Sequence, residues 1–116
     1  MATRNSLALF EGLSPLFVSI RVDGTGTAAI TNTSNLAHAP DITLVDNGAG
    51  NYTLTLDPFL APRQIAHAFA TSQTISTFAS VTAVTYTGSS LAVTVAIEDD
   101  ASTATDGVFY LQVWAF

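Results

Sequence analysis

The sequence predicts an all-β fold, a single antiparallel β-sandwich or jelly-roll-like domain of about eight strands with a short N-terminal arm. Three observations predict it. Apolar and polar residues alternate with period two in one stretch after another, as half-buried strands require. Turn-forming pairs of Asp or Asn with Gly punctuate those stretches. No window carries a sustained i, i+3, i+4, i+7 apolar pattern with helix formers. A chain of 116 residues suits one domain. Residues 1–14, which have no clear period, read as the arm and residues 15–116 as the sandwich.

The first strand is expected where Leu16, Val18, Ile20 and Val22 alternate with Phe17, Ser19 and Arg21. The turn Asp23-Gly24-Thr25-Gly26 follows, then a second strand over Thr27–Thr31. Asp41–Val45 is a third strand, closed by Asp46-Asn47-Gly48-Ala49-Gly50, and Tyr52, Leu54 and Leu56 alternate with Thr53, Thr55 and Asp57 in a fourth. Gln64–Ala70 is read as the fifth strand, although Gln64–Thr71 is also the one plausible short helix. Ala79–Thr87 is the sixth, followed by the turn Thr87-Gly88-Ser89-Ser90. In Leu91–Glu98, Leu91, Val93, Val95 and Ile97 make one apolar face against Ala92, Thr94, Ala96 and Glu98. After Thr105-Asp106-Gly107 the chain closes on Val108–Ala115. There Phe109, Leu111 and Val113 are expected in the core, while Tyr110, Trp114 and Phe116 point outward as a subunit interface.

Composition narrows the function. Charged residues are 10% of the chain, against about 25% in a typical soluble domain. Mean hydropathy is +0.41. So little charge predicts that part of the surface is covered by other protein. The net charge is −6, there is no lysine, and Arg4, Arg21 and Arg63 are the only full cations, so phosphate neutralisation and hence nucleic-acid binding are disfavoured. Anionic membranes are disfavoured for the same reason, and no apolar run approaches the ~20 residues of a spanning helix. Glu11 interrupts the apolar run Leu7–Phe10 before a signal-peptide core can form, so a cytoplasmically made, soluble protein is expected. With no cysteine, disulfides and thiolate metal sites are excluded. From Gln64 to Ile97 there is no Asp, Glu, Lys or Arg, so the edges of those strands lack the charge that usually guards an edge.

Catalytic chemistry finds little support. A nucleophilic triad needs a base, and only His38 and His67 could serve, with no Gly-x-Ser-x-Gly elbow beside them. His67, between Ile65 and Phe69, reads as a packed or hydrogen-bonded residue, and His38 as an exposed turn residue. Glu98, Asp99, Asp100 and Asp106 could approach a cation from one loop, but their spacing matches no calcium loop, and a solvated turn is the simpler reading. Gly24-x-Gly26 precedes a Thr/Ala strand, not the helix a phosphate cradle needs. The sequons at Asn32 and Asn51 mean little without a secretory signal. The expectation is a protein without enzymatic activity and without cofactor or metal.

Two segments together carry a resemblance: Asp23-Gly24-Thr25-Gly26-Thr27, and Asp46-Asn47-Gly48-Ala49-Gly50-Asn51-Tyr52-Thr53-Leu54-Thr55-Leu56. They are similar to a pattern of bacteriophage virion β-domains, in which a D/N-G-T-G-T turn precedes a D-N-G-T-G-D-Y-T-V-T-F hairpin. An apolar strand, a Thr/Ser/Val-rich strand pair, an Asp- and Ala-rich loop and a closing hydrophobic strand then follow in the same order, so the likeness covers residues 15–116. Ala49 and Asn51 replace the pattern's Thr and Asp, and the Pro58–Pro62 stretch is individual. The resemblance implies a structural virion protein. Its particular form is a capsid decoration (cement) protein, made in the host cytoplasm, that binds the major capsid protein on the head surface and associates with itself, often as a trimer. A chain opening at Met1 without a long shaft favours this form over a tail fibre, and Leu7, Leu9 and Phe10 of the arm are the expected capsid contacts. Two alternatives stay open, a tail-fibre or receptor-binding tip and a small glycan-binding module. Exposed aromatics on loop tips would favour the fibre tip; aromatics along one side favour decoration.

Overall fold

The computed structural model describes residues 16–34, 41–57, 66–87 and 89–115. Eight antiparallel strands form two four-stranded sheets, stacked as a sandwich: β1 (Leu16–Asp23), β2 (Ala29–Thr33), β3 (Asp41–Gly48), β4 (Asn51–Asp57), β5 (Ala66–Ser72), β6 (Thr77–Thr87), β7 (Ser90–Asp99) and β8 (Val108–Ala115). Sheet I has the order β2-β1-β8-β5 and sheet II the order β3-β4-β7-β6. The first four strands therefore build one lateral half of the sandwich and the last four the other. The halves are joined through β1–β8 in sheet I and β4–β7 in sheet II.

The alternation seen in the sequence places the core. Val18, Ile20 and Val22 of β1 stand opposite Val113, Leu111 and Phe109 of β8. Tyr52, Leu54 and Leu56 of β4 stand opposite Val95, Val93 and Leu91 of β7. All twelve are buried, and Ile97 joins them. Full burial stabilises each such side chain by about 1.5–3 kcal/mol, which makes these four central strands the principal source of stability. The flanking strands contribute half-buried residues, among them Ile30, Ile42, Leu44, Ala66, Ala68, Ala70, Ala79 and Val81.

The structure moves several predicted boundaries. β2 runs Ala29–Thr33 because Asp23 holds the amide of Thr25 (2.9 Å) and Gly26 takes a φ of +67°, which keeps Thr27 in the turn. β6 starts at Thr77, whose hydroxyl donates to the Thr74 carbonyl and closes the preceding turn. β5, whose short-helix alternative was open, is a strand over Ala66–Ser72.

Three bulges mark β2, β3 and β6, where Thr31, Asn47 and Thr82 are the extra residues. The one at Thr82 reverses the facing of β6. Before it Ala79 and Val81 pair with core residues Ile97 and Val95; after it Val84 and Tyr86 pair with Val93 and Leu91.

A glycine-lined turn end and an aromatic outer face

Two features merit consideration as functional sites, and they differ in kind. The first is the end of the sandwich where the turns β1–β2, β3–β4, β5–β6 and the loop β7–β8 gather. Both segments that carried the virion resemblance meet here. The Tyr52 hydroxyl, fully buried, donates to the Asp106 carboxylate (2.8 Å) and lies 3.3 Å from the Gly24 carbonyl oxygen. The same carboxylate oxygen accepts the Gly50 amide (2.9 Å), and the Gly24 amide donates to the Gly107 carbonyl (2.9 Å).

Glycine is demanded here by space. A Cβ on Gly24 would collide with the Tyr52 hydroxyl and come within 2.7 Å of the Gly107 carbonyl. On Gly50, whose φ is +62°, it would strike the Ile97 carbonyl and come within 2.7 Å of the Thr105 carbonyl. Thr74 completes the end by accepting the Val108 amide through its hydroxyl oxygen (2.8 Å).

The electrostatics agree with a structural role. The Gly50 amide and then the Tyr52 hydroxyl hold the Asp106 carboxyl below the usual carboxylate range. Burial, reinforced by the hydrogen bond to Asp106, pushes the Tyr52 phenol well above its ordinary value. Asp99 turns its carboxylate onto its own loop, accepting the amides of Ala101 and Thr103 (both 2.9 Å). Glu98, Asp100 and Asp106 are exposed, as expected of a solvated turn, and within it Asp99 and Asp106 also serve as acceptors of backbone amides. Among the described residues no group of three His, Asp or Glu side chains is placed to hold a metal ion. The sequon residue Asn51 is spent locally too, accepting from the Asn47 amide nitrogen at 3.2 Å.

The second feature is the outer face of sheet I. Three cross-strand rows are set by register: Phe17–Trp114–His67, Ser19–Gln112–Phe69 and Arg21–Tyr110–Thr71. Tyr110 and Trp114 point outward, 36% and 38% exposed, and Phe69 is 57% exposed. The Trp114 ring is braced from one side by Phe17, with ring centroids 4.3 Å apart. Arg21 is tied back across the sheet to the Thr31 hydroxyl (2.6 Å).

His67 and Phe69 belong to this face because Ala66, Ala68 and Ala70 take the inward positions of β5. β5 runs close to β6 of the opposite sheet, and its small inward side chains pack against the core. His67 is therefore exposed beside Trp114, which removes core packing but not hydrogen bonding from the two readings made for it. Sequence reasoning missed Phe69 as an outward residue, although the alternation of alanine with larger side chains in β5 held the signal. On the outer face of sheet II the middle rows are small or polar, with Thr43, Thr55, Ala92 and Thr85 in one and Val45, Thr53, Thr94 and Ala83 in the next, and Phe78 opposite Glu98 is its exposed aromatic.

Of the remaining candidates, Leu7, Leu9, Phe10, His38 and Phe116 lie outside the described residues. Fold and surface together define an all-β sandwich with, among the described residues, exposed aromatics on one sheet face. Comparison with protein-family models, with curated proteins and with solved structures yields no match.

Proposed function

We propose that this chain is a structural virion protein, a decoration subunit that binds the outer surface of a phage capsid and stabilises the shell by bridging capsomers. The observation that carries the reading is where the exposed aromatics lie. Phe69, Tyr110 and Trp114 share one sheet face, and Phe78 and Tyr86 also sit on a strand. Among the described turns the only exposed large hydrophobic residue is Ile75, an aliphatic. A receptor-binding tip concentrates recognition on loops, whereas a subunit laid along a protein lattice uses a side. Aromatic residues anchor protein interfaces more often than other types, and a few of them carry most of the binding energy.

The chain's low charge supports the same reading, as does the likeness of its two turn segments to virion β-domains. Stabilisation follows from mass action: a ligand that binds only the assembled shell shifts the equilibrium toward it, and repeated weak contacts across a lattice add avidity. Leu7, Leu9 and Phe10 remain the proposed arm contacts.

The test is co-sedimentation of the purified chain with undecorated heads, alongside its copy number in virions. Binding to heads and a copy number that scales with the major capsid protein are expected. Trp114→Ala should weaken binding by about 30-fold or more, the loss typical of a central anchor. A handful of copies confined to the tail would instead select the fibre alternative.

A further inference from the structure

The two sheets differ in charge. The strands of sheet II carry Asp41, Asp46, Asp57, Glu98 and Asp99 and no Lys or Arg. The strands of sheet I carry a single acid, Asp23 at the turn end of β1, together with Arg21. Arg21 is the only Lys or Arg among the described residues. Its strand neighbours Ile20 and Val22 are buried, so it stands on the outer face with Trp114, Tyr110 and Phe69.

The arginine is fixed there by the neighbouring edge strand. The bulge in β2 brings Thr31 beside it, and a bulge re-aims the side chain it carries. The Thr31 hydroxyl donates to the Arg21 carbonyl (3.3 Å) and accepts from the Arg21 guanidinium (2.6 Å). A guanidinium has five N–H donors in a rigid plane, of which Thr31 takes one. Asp23 is spent elsewhere: its carboxylate accepts from the hydroxyl and the amide of Thr25, which hold it below the usual carboxylate range, and Arg21 is the weakest influence on it.

Arg21 lies directly across the ladder from Tyr110, so a partner that covers the tyrosine also covers the arginine. Arginine stays charged, and a charge taken out of water without a counter-charge is strongly unfavourable. We propose that the outer face of sheet I docks an acidic patch of a protein surface, which presents a carboxylate to Arg21. The inference rests on the decoration reading and specifies the capsid surface that reading requires. Charge selects a carboxylate over a polyanion. A chain of net charge −6 repels nucleic acid or an anionic membrane, and one described cation cannot offset that. One guanidinium, in contrast, matches one carboxylate, whose two oxygens fit its fork. Trp, Tyr and Arg are also the residue types that most often carry the binding energy of a protein interface, and Trp114, Tyr110 and Arg21 share this face.

The experiment measures the affinity of the full chain for undecorated heads by co-sedimentation, with Arg21→Gln, Arg21→Lys and Arg21→Glu as variants. Thr43→Glu, exposed on the outer face of sheet II, controls for net charge, and circular dichroism melting checks that each variant folds. Arg21→Gln should weaken binding about tenfold or more. Arg21→Lys, which keeps the charge and gives up the fork, should fall between wild type and Arg21→Gln. Arg21→Glu should cost about a further tenfold, because two carboxylates then oppose each other, and that gap should narrow in about 1 M NaCl. Thr43→Glu should bind like the wild type. Heads that bind Arg21→Gln as well as wild type, or Arg21→Glu as well as Arg21→Gln, would overturn the inference and leave decoration standing. A wild type that binds no heads removes the decoration reading and the inference with it.

Discussion

The turn end and the outer face of sheet I are both unusual for their residues, yet they solve opposite problems. At the turn end, polar groups out of water find partners: Tyr52 and Gly50 share the Asp106 carboxylate, and Gly24 binds Gly107. On the outer face, Trp114, Tyr110 and Phe69 keep apolar surface in water, with Phe17 packed against the Trp114 ring. The end consumes its chemistry internally, whereas the face has surface to offer a partner. A conspicuous motif can therefore serve the fold, while an ordinary alternating strand leaves apolar surface exposed.

The sharpest way to break this contrast is Gly50→Ala. The positive φ and the collision with the Ile97 carbonyl should together cost about 3 kcal/mol or more, measured by urea unfolding. A cost near zero would mean that the end is not locked.

Tyr52→Phe comes next, with an expected loss of about 1–3 kcal/mol as the part-buried, charge-assisted contact to Asp106 goes unmade. Head binding per folded molecule should be unchanged. Trp114→Ala should behave in the reverse sense, costing about 1 kcal/mol of stability through its lost contact with Phe17 while removing capsid affinity. If Tyr52→Phe abolished binding while the fold survived, the turn end would be functional after all.

The smallest effects are in pH. Asp106 is held below its ordinary range in the folded state, so the native chain binds fewer protons than the unfolded one in that region. Its contribution is present above the ordinary carboxylate pKa of about 4 and is lost as pH falls through the depressed value. Asp106→Asn should flatten the acid limb of stability against pH. Tyr52 has the opposite sign: its raised phenol contributes stability below about pH 10, lost on further alkalinisation, and Tyr52→Phe should flatten that limb.

Much of the fold could be read from the chain directly. The period-two runs Val18–Val22, Tyr52–Leu56, Leu91–Ile97 and Phe109–Val113 are the buried core, because in a strand every second side chain shares a face whatever the partner strand. The outward pointing of Tyr110 and Trp114 follows from the same rule. Less legible was everything that depends on which strands become neighbours. Periodicity in β6 hides the slip at Thr82, since an extra residue is defined only against the strand opposite. The inward facing of the β5 alanines, and with it the exposure of His67 and Phe69, depends on how β5 packs against the core.

The same division holds for charge and for the turn motifs. Composition alone establishes an acidic, lysine-free, β-forming chain, because charge and local backbone preference belong to each residue wherever it ends up. Bringing Gly24, Gly50, Tyr52 and Asp106 to a single point required strand pairing between segments far apart in the chain. Local sequence encodes the alternation of a strand; only packing against distant partners chooses what that strand will touch.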